Sequence, residues 1–408
     1  MAFATRHIMT DVRGIDWGEA ADMESVPGAF SPLVKARDIK GDLVQEEIKR
    51  IIQKTGLARG PEKSILGPKG GTIGFSLPVR GGKLAAGTGS ESNMSKLMSN
   101  MGMVRQNIAD GIAKVTGGAA GNVTMLDADA VGYAPGGFIC VNADKGGAPD
   151  IQLRAIIQVQ AAAGTTTVTV APNWDTNPVN LDDMFALDSF KPSPGEPTVY
   201  SGLDLYRGQG ASNRHKFQCL GAAATWKIPT TALNAIPFME LEFMIDDWEE
   251  SEAVRSDEDP ADLLADERLL LLDAEFYWGA TALQIQDFAF DPAFPLTMMP
   301  GNLYGNGRIG WWYGNPVPNL EVTPYWDAEW WDIWKDRTTE EVALYSVADQ
   351  YDFFGFCMFE TQVVGIEEAT IGEALLGSKP TFLSVDPHES PTPEFDQLPQ
   401  FGFCFSGV

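Results

Sequence analysis

Six of the eleven tryptophans fall within 24 residues: Trp311, Trp312, Trp326, Trp330, Trp331 and Trp334. Tyr313 and Tyr325 stand beside them, and Asp327, Glu329 and Asp332 are interspersed. Indole platforms next to paired carboxylates are what a glycan-cleaving cleft needs. The sugar stacks on the rings, one acid protonates the leaving oxygen, and the other attacks or activates water. The same rings equally fill a hydrophobic core or a subunit interface, where Trp and Tyr are enriched. Sequence alone does not set two carboxylates across a bond, so packing is the reading we prefer.

Other chemistry is thin. Gly305, Gly307 and Gly310 satisfy GxGxxG as a string, but Trp-Trp-Tyr-Gly-Asn-Pro follows where a phosphate-binding helix would have to begin. Lys69 lacks Walker spacing, and no G-x-S-x-G elbow exists. His7, His215 and His388 lie in three separate segments. His215 and Cys219 share a face of one expected strand but stand two steps apart, too far for an ion pair. Cys140, Cys219, Cys357 and Cys404 form no CxxC pair, which disfavours both a disulfide framework and a zinc site. We therefore expect no catalytic set, no cofactor and no metal.

The elements that would position these residues are mostly β. Residues 42–57 read as a helix: Asp42 and Gln45 form a capping box, Val44, Ile48, Ile51 and Ile52 share a face, and Gly56 stops it. Thr72 to Arg80 alternates as a strand in which Pro78 suggests an edge or bulge. Met94, Leu97, Met98 and Met101 predict a short helix over 93–101, ended by Gly102. From about Val115 to Phe190 short β segments alternate with Gly-rich turns, the hairpin of 153–159 and 165–170 being best defined. Hairpin strands at 203–207 and 215–220 follow, then a strand at 223–228 and a longer one at 238–246. In the last, Met239, Leu241, Phe243 and Ile245 alternate with Glu240, Glu242 and Asp246. Asp259 and Pro260 open a further helix carrying Leu263, Leu264, Leu269 and Leu270. The remainder reads as mostly β.

At 408 residues, 44% hydrophobic, the chain is long and apolar enough to bury one large core or two. With 29 basic and 56 acidic side chains the formal net charge is −27, which argues against gripping nucleic acid by its phosphates. The charge is uneven: residues 246–408 hold 6 basic and 32 acidic groups. Between Asp246 and Glu267 eleven acids face only Arg255, either as a solvated linker or helix face or as a surface that repels a polyanion. No signal-peptide pattern and no long apolar run is present, so a soluble protein with no membrane partner is expected.

Several segments, read in order, resemble the major tail tube proteins of long-tailed bacteriophages. They are Gly74 to Gly81, the helix Met94 to Gly102, Tyr200 leading into the hairpin that ends at Leu220, Gly221 to Ile228, and the strand Phe238 to Ile245. The resemblance covers about residues 60–250. It implies a β-sandwich or half-barrel with a flanking α-helix, formed by 60–114 and 191–250. An arm and helix at 1–59, an inserted β module at 115–190 and an elaborated acidic, Trp-rich region at 251–408 complete the division. It further implies homo-oligomeric, sixfold rings stacked into a tube, joined to other phage tail proteins. Genomic DNA would be non-specific passing cargo, and the protein would be assembled in the host cytoplasm and located in the virion. Glu240, Glu242 and Asp246 become candidate lumen-facing acids, and the six clustered tryptophans candidate interface aromatics. A tail-tip or capsid accessory ring protein, or a carbohydrate-binding or cleaving protein built on 311–334, are the alternatives.

Overall fold

The computed structural model describes residues 3–9, 12–33, 36–48, 65–79, 97–106, 113–145, 148–185, 187–197, 199–207, 215–232, 235–252, 274–301, 308–324, 329–349, 352–371, 375–385 and 398–405. The protein is mainly β. The N-terminal strands are β1 (Phe3–Met9), β2 (Val12–Ala20), β3 (Ser31–Pro32), β4 (Arg37–Ile48), β5 (Ile65–Pro78) and β6 (Met103–Gln106). Next come β7 (Ala113–Ala119), β8 (Asn122–Leu126), β9 (Phe138–Lys145), β10 (Ala148–Ala162), β11 (Thr165–Ala171) and β12 (Asp183–Phe185). β13 (Asp188–Pro192), β14 (Tyr200–Arg207), β15 (His215–Ala232), β16 (Phe238–Ile245) and β17 (Asp247–Glu252) follow. The C-terminal part adds β18 (Glu275–Trp278), β19 (Thr281–Leu283), β20 (Ile285–Asp291), β21 (Leu296–Pro300), β22 (Arg308–Tyr313) and β23 (Asn319–Pro324). Helix α1 (Glu329–Asp336), β24 (Thr339–Asp349), β25 (Asp352–Ile371), β26 (Leu375–Ser384) and β27 (Phe401–Phe405) complete it.

β15 organises the body. Its first part pairs with β14 and β17, its middle with β16, and its end with β20, so one strand serves three sheet regions. The separate strands expected at 215–220 and 223–228 are thus one. Gly221 makes the bend between them: its φ is +61°, and a Cβ there would sit 2.8 Å from the Met23 carbonyl oxygen. Through β20, β23 and β26 the C-terminal region hydrogen-bonds into the same sheet as the preceding half.

Residues 342–346 of β24, 353–359 of β25 and all of β27 form a sheet region buried on both faces, which is why these runs lack polar alternation. Phe354, Phe356, Met358, Phe401, Phe403 and Phe405 join the main core. Ala343, Tyr345, Phe353, Cys357, Phe359 and Cys404 join a second core with the interior of a closed barrel. That barrel, in the order β10-β11-β8-β7-β12-β9, is built from the short β segments that follow position 113. Its hairpin β10–β11 turns at Ala163-Gly164, tighter than the Ala-Ala-Ala-Gly turn read from sequence. Phe190 lies beyond the barrel, in β13, which pairs with β27 and β6.

The helix expected over 42–57 is corrected. Residues 42–48 are the second half of β4, and 49–57 lie outside the described residues. Two neighbours override the helical periodicity: Leu43 pairs with Ile8 of β1 and Gly71 of β5 and is fully buried. Pro78 marks no edge: β5 lies between β4 and β16, and Pro78 is tolerated as its last residue. Of the helix expected at 93–101, residues 97–99 are helical and 93–96 lie outside the described residues; Leu97, Met98 and Met101 are buried, and Gly102 follows at φ +74°. The helix expected after Asp259 lies outside the described residues. No described helix is long and apolar enough to cross a membrane.

Candidate functional site

The alternation of β16 places its acids as read. Met239, Leu241, Phe243 and Ile245 are buried, Glu242 is exposed, and Glu240 is partly exposed. Glu240 pairs with Lys227 of the neighbouring β15 at 3.2 Å, both side chains being about half exposed. Such a pair contributes only about 0.2–1 kcal/mol and is screened by salt. Both glutamates open on a recess of about 360 Å³, also lined by Thr225, Asp291 and Phe294. Three carboxylates against one ammonium give this face a negative potential, which repels phosphate rather than binding it.

Asp246 does not belong to that face. It is 3% exposed, and Arg308 of β22 donates from Nη1 to its Oδ1 at 2.9 Å and to its backbone carbonyl at 3.0 Å. At Asp246 the chain leaves β16 for β17, and the side chain turns inward to meet the only described cation on the β21–β22 hairpin. The candidate lumen-facing role of Asp246 is therefore withdrawn.

The tryptophans divide. Trp311 is buried and donates from Nε1 to the Gly221 carbonyl at 2.7 Å. Trp330 is buried against Trp278 and Phe382, with ring centroids 5.9 and 5.6 Å away. Trp331 and Trp334 meet edge to face at 5.9 Å on partly exposed α1. Trp312 is the outward ring, 48% exposed. Trp326 lies outside the described residues. Trp311 and Trp330 fill the core and are corrected as interface candidates. Trp312, Trp331 and Trp334 have surface to offer a partner.

The carboxylates of the same segment do not gather around the rings among the described residues. Asp332 is exposed and pairs with Lys335 at 3.5 Å, Asp327 lies outside the described residues, and the side chain of Glu329 is not described. Gly310 sits in strand β22, so no helix follows the GxGxxG string there. Lys69 donates to the Trp248 carbonyl at 2.6 Å and lies 5.0 Å from that ring. All four cysteines are buried and free, and burial pushes the thiols of Cys140, Cys219 and Cys357 up. Among the described residues no three His, Cys, Asp or Glu side chains gather as a metal site.

Sequence reasoning missed the inward-facing cations. Arg154, fully buried, holds a carboxylate and two backbone carbonyls, and Arg308, partly buried, holds a carboxylate and one backbone carbonyl. The scarcity of basic residues after position 245 was the available signal for Arg308: a rare cation among acids is there for a partner. No protein-family model matches the chain, and no curated protein matches it.

Proposed function

We propose that the protein is a structural, self-assembling subunit of a long-tailed bacteriophage tail tube, forming stacked, sixfold-symmetric rings around a DNA channel. The observation that carries this reading is the set of one-sided strands. Among the described residues β1 has a ladder partner only in β4 and β6 only in β13. A strand with one ladder partner is what sheet-to-sheet assembly uses. The acidic outer row of β16, with Glu240 and Glu242, supports a channel wall past which a polyanion slides. The partners in this reading are further copies of the chain and other tail proteins, and its location is the virion.

Electron microscopy of the purified protein tests the reading. Rings or long uniform tubes are expected. Discrete monomers at high concentration that are retained on a polysaccharide column would replace it with the carbohydrate reading.

A further inference from the structure

β14 and β15 pair with Tyr206 opposite Lys216 and Asp204 opposite Gln218, so Asp204 and Lys216 stand diagonally across the two strands on one face. A diagonal position is within reach of a long side chain. Lys216 Nζ meets Asp204 Oδ2, and the two side chains are 19% and 3% exposed. The pairs Lys227–Glu240 and Lys335–Asp332 are about half exposed or more on both sides, where water keeps them ionic.

Two further observations set the buried pair apart. Asp204 Oδ1 is buried with no hydrogen-bond partner, and an oxygen in that position costs most when it carries carboxylate charge. On the amine side, the centroid of the Phe30 ring lies 5.3 Å from Lys216 Nζ. As an ion pair the site holds two desolvated charges and an unsatisfied anionic oxygen. As an amide it would hold one neutral carbonyl and one N–H.

We propose that Asp204 and Lys216 are a modification site, joined by an intramolecular amide bond from Asp204 Cγ to Lys216 Nζ. Proton transfer within the pair gives a neutral amine and a neutral acid, which removes both desolvated charges. Burial works in the same direction, holding the Asp204 carboxyl above the usual carboxylate range against the pull of Lys216. The Nζ lone pair then attacks Cγ. The C–N bond forms, the bond from Cγ to the protonated oxygen breaks, and that oxygen leaves as water with its own proton and one from nitrogen. The step needs no oxidant, reductant or cofactor, and a water-poor site favours it because water is what leaves. Strand pairing already holds the reacting groups together, so the reaction has the high effective concentration of an intramolecular one. The product is a covalent rung between β14 and β15, the strand that serves three sheet regions. This inference does not rest on the tail tube reading.

The test is the intact mass of the purified, denatured full chain, followed by tryptic mapping. The parent is expected to be lighter than its sequence by one water. Its digest should contain a branched peptide joining the segments of Asp204 and Lys216, which cleavage at Arg207 and Arg214 otherwise separates. Lys216→Arg keeps a cation beside Asp204 but removes the primary amine, and should restore the full sequence mass. Asp204→Ala, the second variant, should do the same. A parent at its full sequence mass overturns the proposal. So does a water loss that persists in Lys216→Arg, or one with no branched peptide between these two segments.

Discussion

The acids of the β16 region differ in what surrounds each carboxylate, and that difference predicts what substitution does. Asp246 is desolvated and depends on Arg308. Removing one partner of a buried pair leaves an uncompensated charge and costs about 3–5 kcal/mol. Arg308→Met should lower the unfolding midpoint accordingly, and adding Asp246→Asn should recover much of the loss; an unchanged midpoint in denaturant titration contradicts the pairing. Glu240 and Glu242 face solvent, where charge reversal has little effect on stability. The double variant Glu240→Lys, Glu242→Lys should fold and assemble as the parent does. Its empty tubes should bind free DNA with an affinity that falls as salt rises. Double-Lys tubes that retain no DNA at low salt would remove these two residues from the channel wall.

At the scale of elements, legibility followed how many faces a strand buries. β16 was readable because one face is core and the other is not, and the β10–β11 hairpin because a turn at Ala163-Gly164 bounds it. β4 was misread because Val44 and Ile48 fit a helical stripe, whereas strand partners on both sides decide its conformation. The run Phe353 to Phe359 carries no period at all, since a sheet covered on both sides needs none. Of the candidate site, the outward acids were legible from alternation, but Asp246 was not, because its inward turn depends on an arginine 62 residues away. The same reasoning locates a test of assembly. β16 has partners on both sides, so Leu241→Pro would break the subunit's own sheet between Trp226 and Phe75 and report on folding. Among the described residues β6 has one ladder partner, and its Val104 is 41% exposed. Val104→Lys should leave thermal stability near the parent's and abolish tubes seen by electron microscopy, because charge on an open edge blocks pairing. Normal tubes from this variant would place the contacts elsewhere.

For the whole molecule, the decisive feature is that two cores share one sheet, so the barrel is held to the body by what crosses their junction. Arg154 of β10 is buried there, donating from Nη2 to Asp175 Oδ2 at 2.5 Å, from Nη1 to the Leu153 carbonyl at 2.8 Å and from Nε to the Asn173 carbonyl at 3.2 Å. Its guanidinium lies 5.8 Å from the Trp174 ring of the barrel's own loop and 5.4 and 5.5 Å from the Tyr277 and Tyr345 rings of the body. The Tyr345 hydroxyl donates to the Ala171 carbonyl and accepts from the Ala155 amide, both at 2.9 Å. A buried cation enclosed by rings contributes about 2 kcal/mol beyond its hydrogen bonds, and each charged hydrogen bond roughly 1.5–3. The barrel closes its own hydrogen-bonding circuit, so it does not need the body to complete its strands. Arg154→Met keeps an apolar stem but removes the cation, and should uncouple barrel from body while leaving each folded. Calorimetry should then resolve two transitions where the parent shows one, with Tyr345→Phe, which loses both bonds across the junction, moving in the same direction. If both variants unfold in a single transition at the parental temperature, the apolar contact of Leu153 and Phe138 with Gly355, not the arginine, holds the barrel in place.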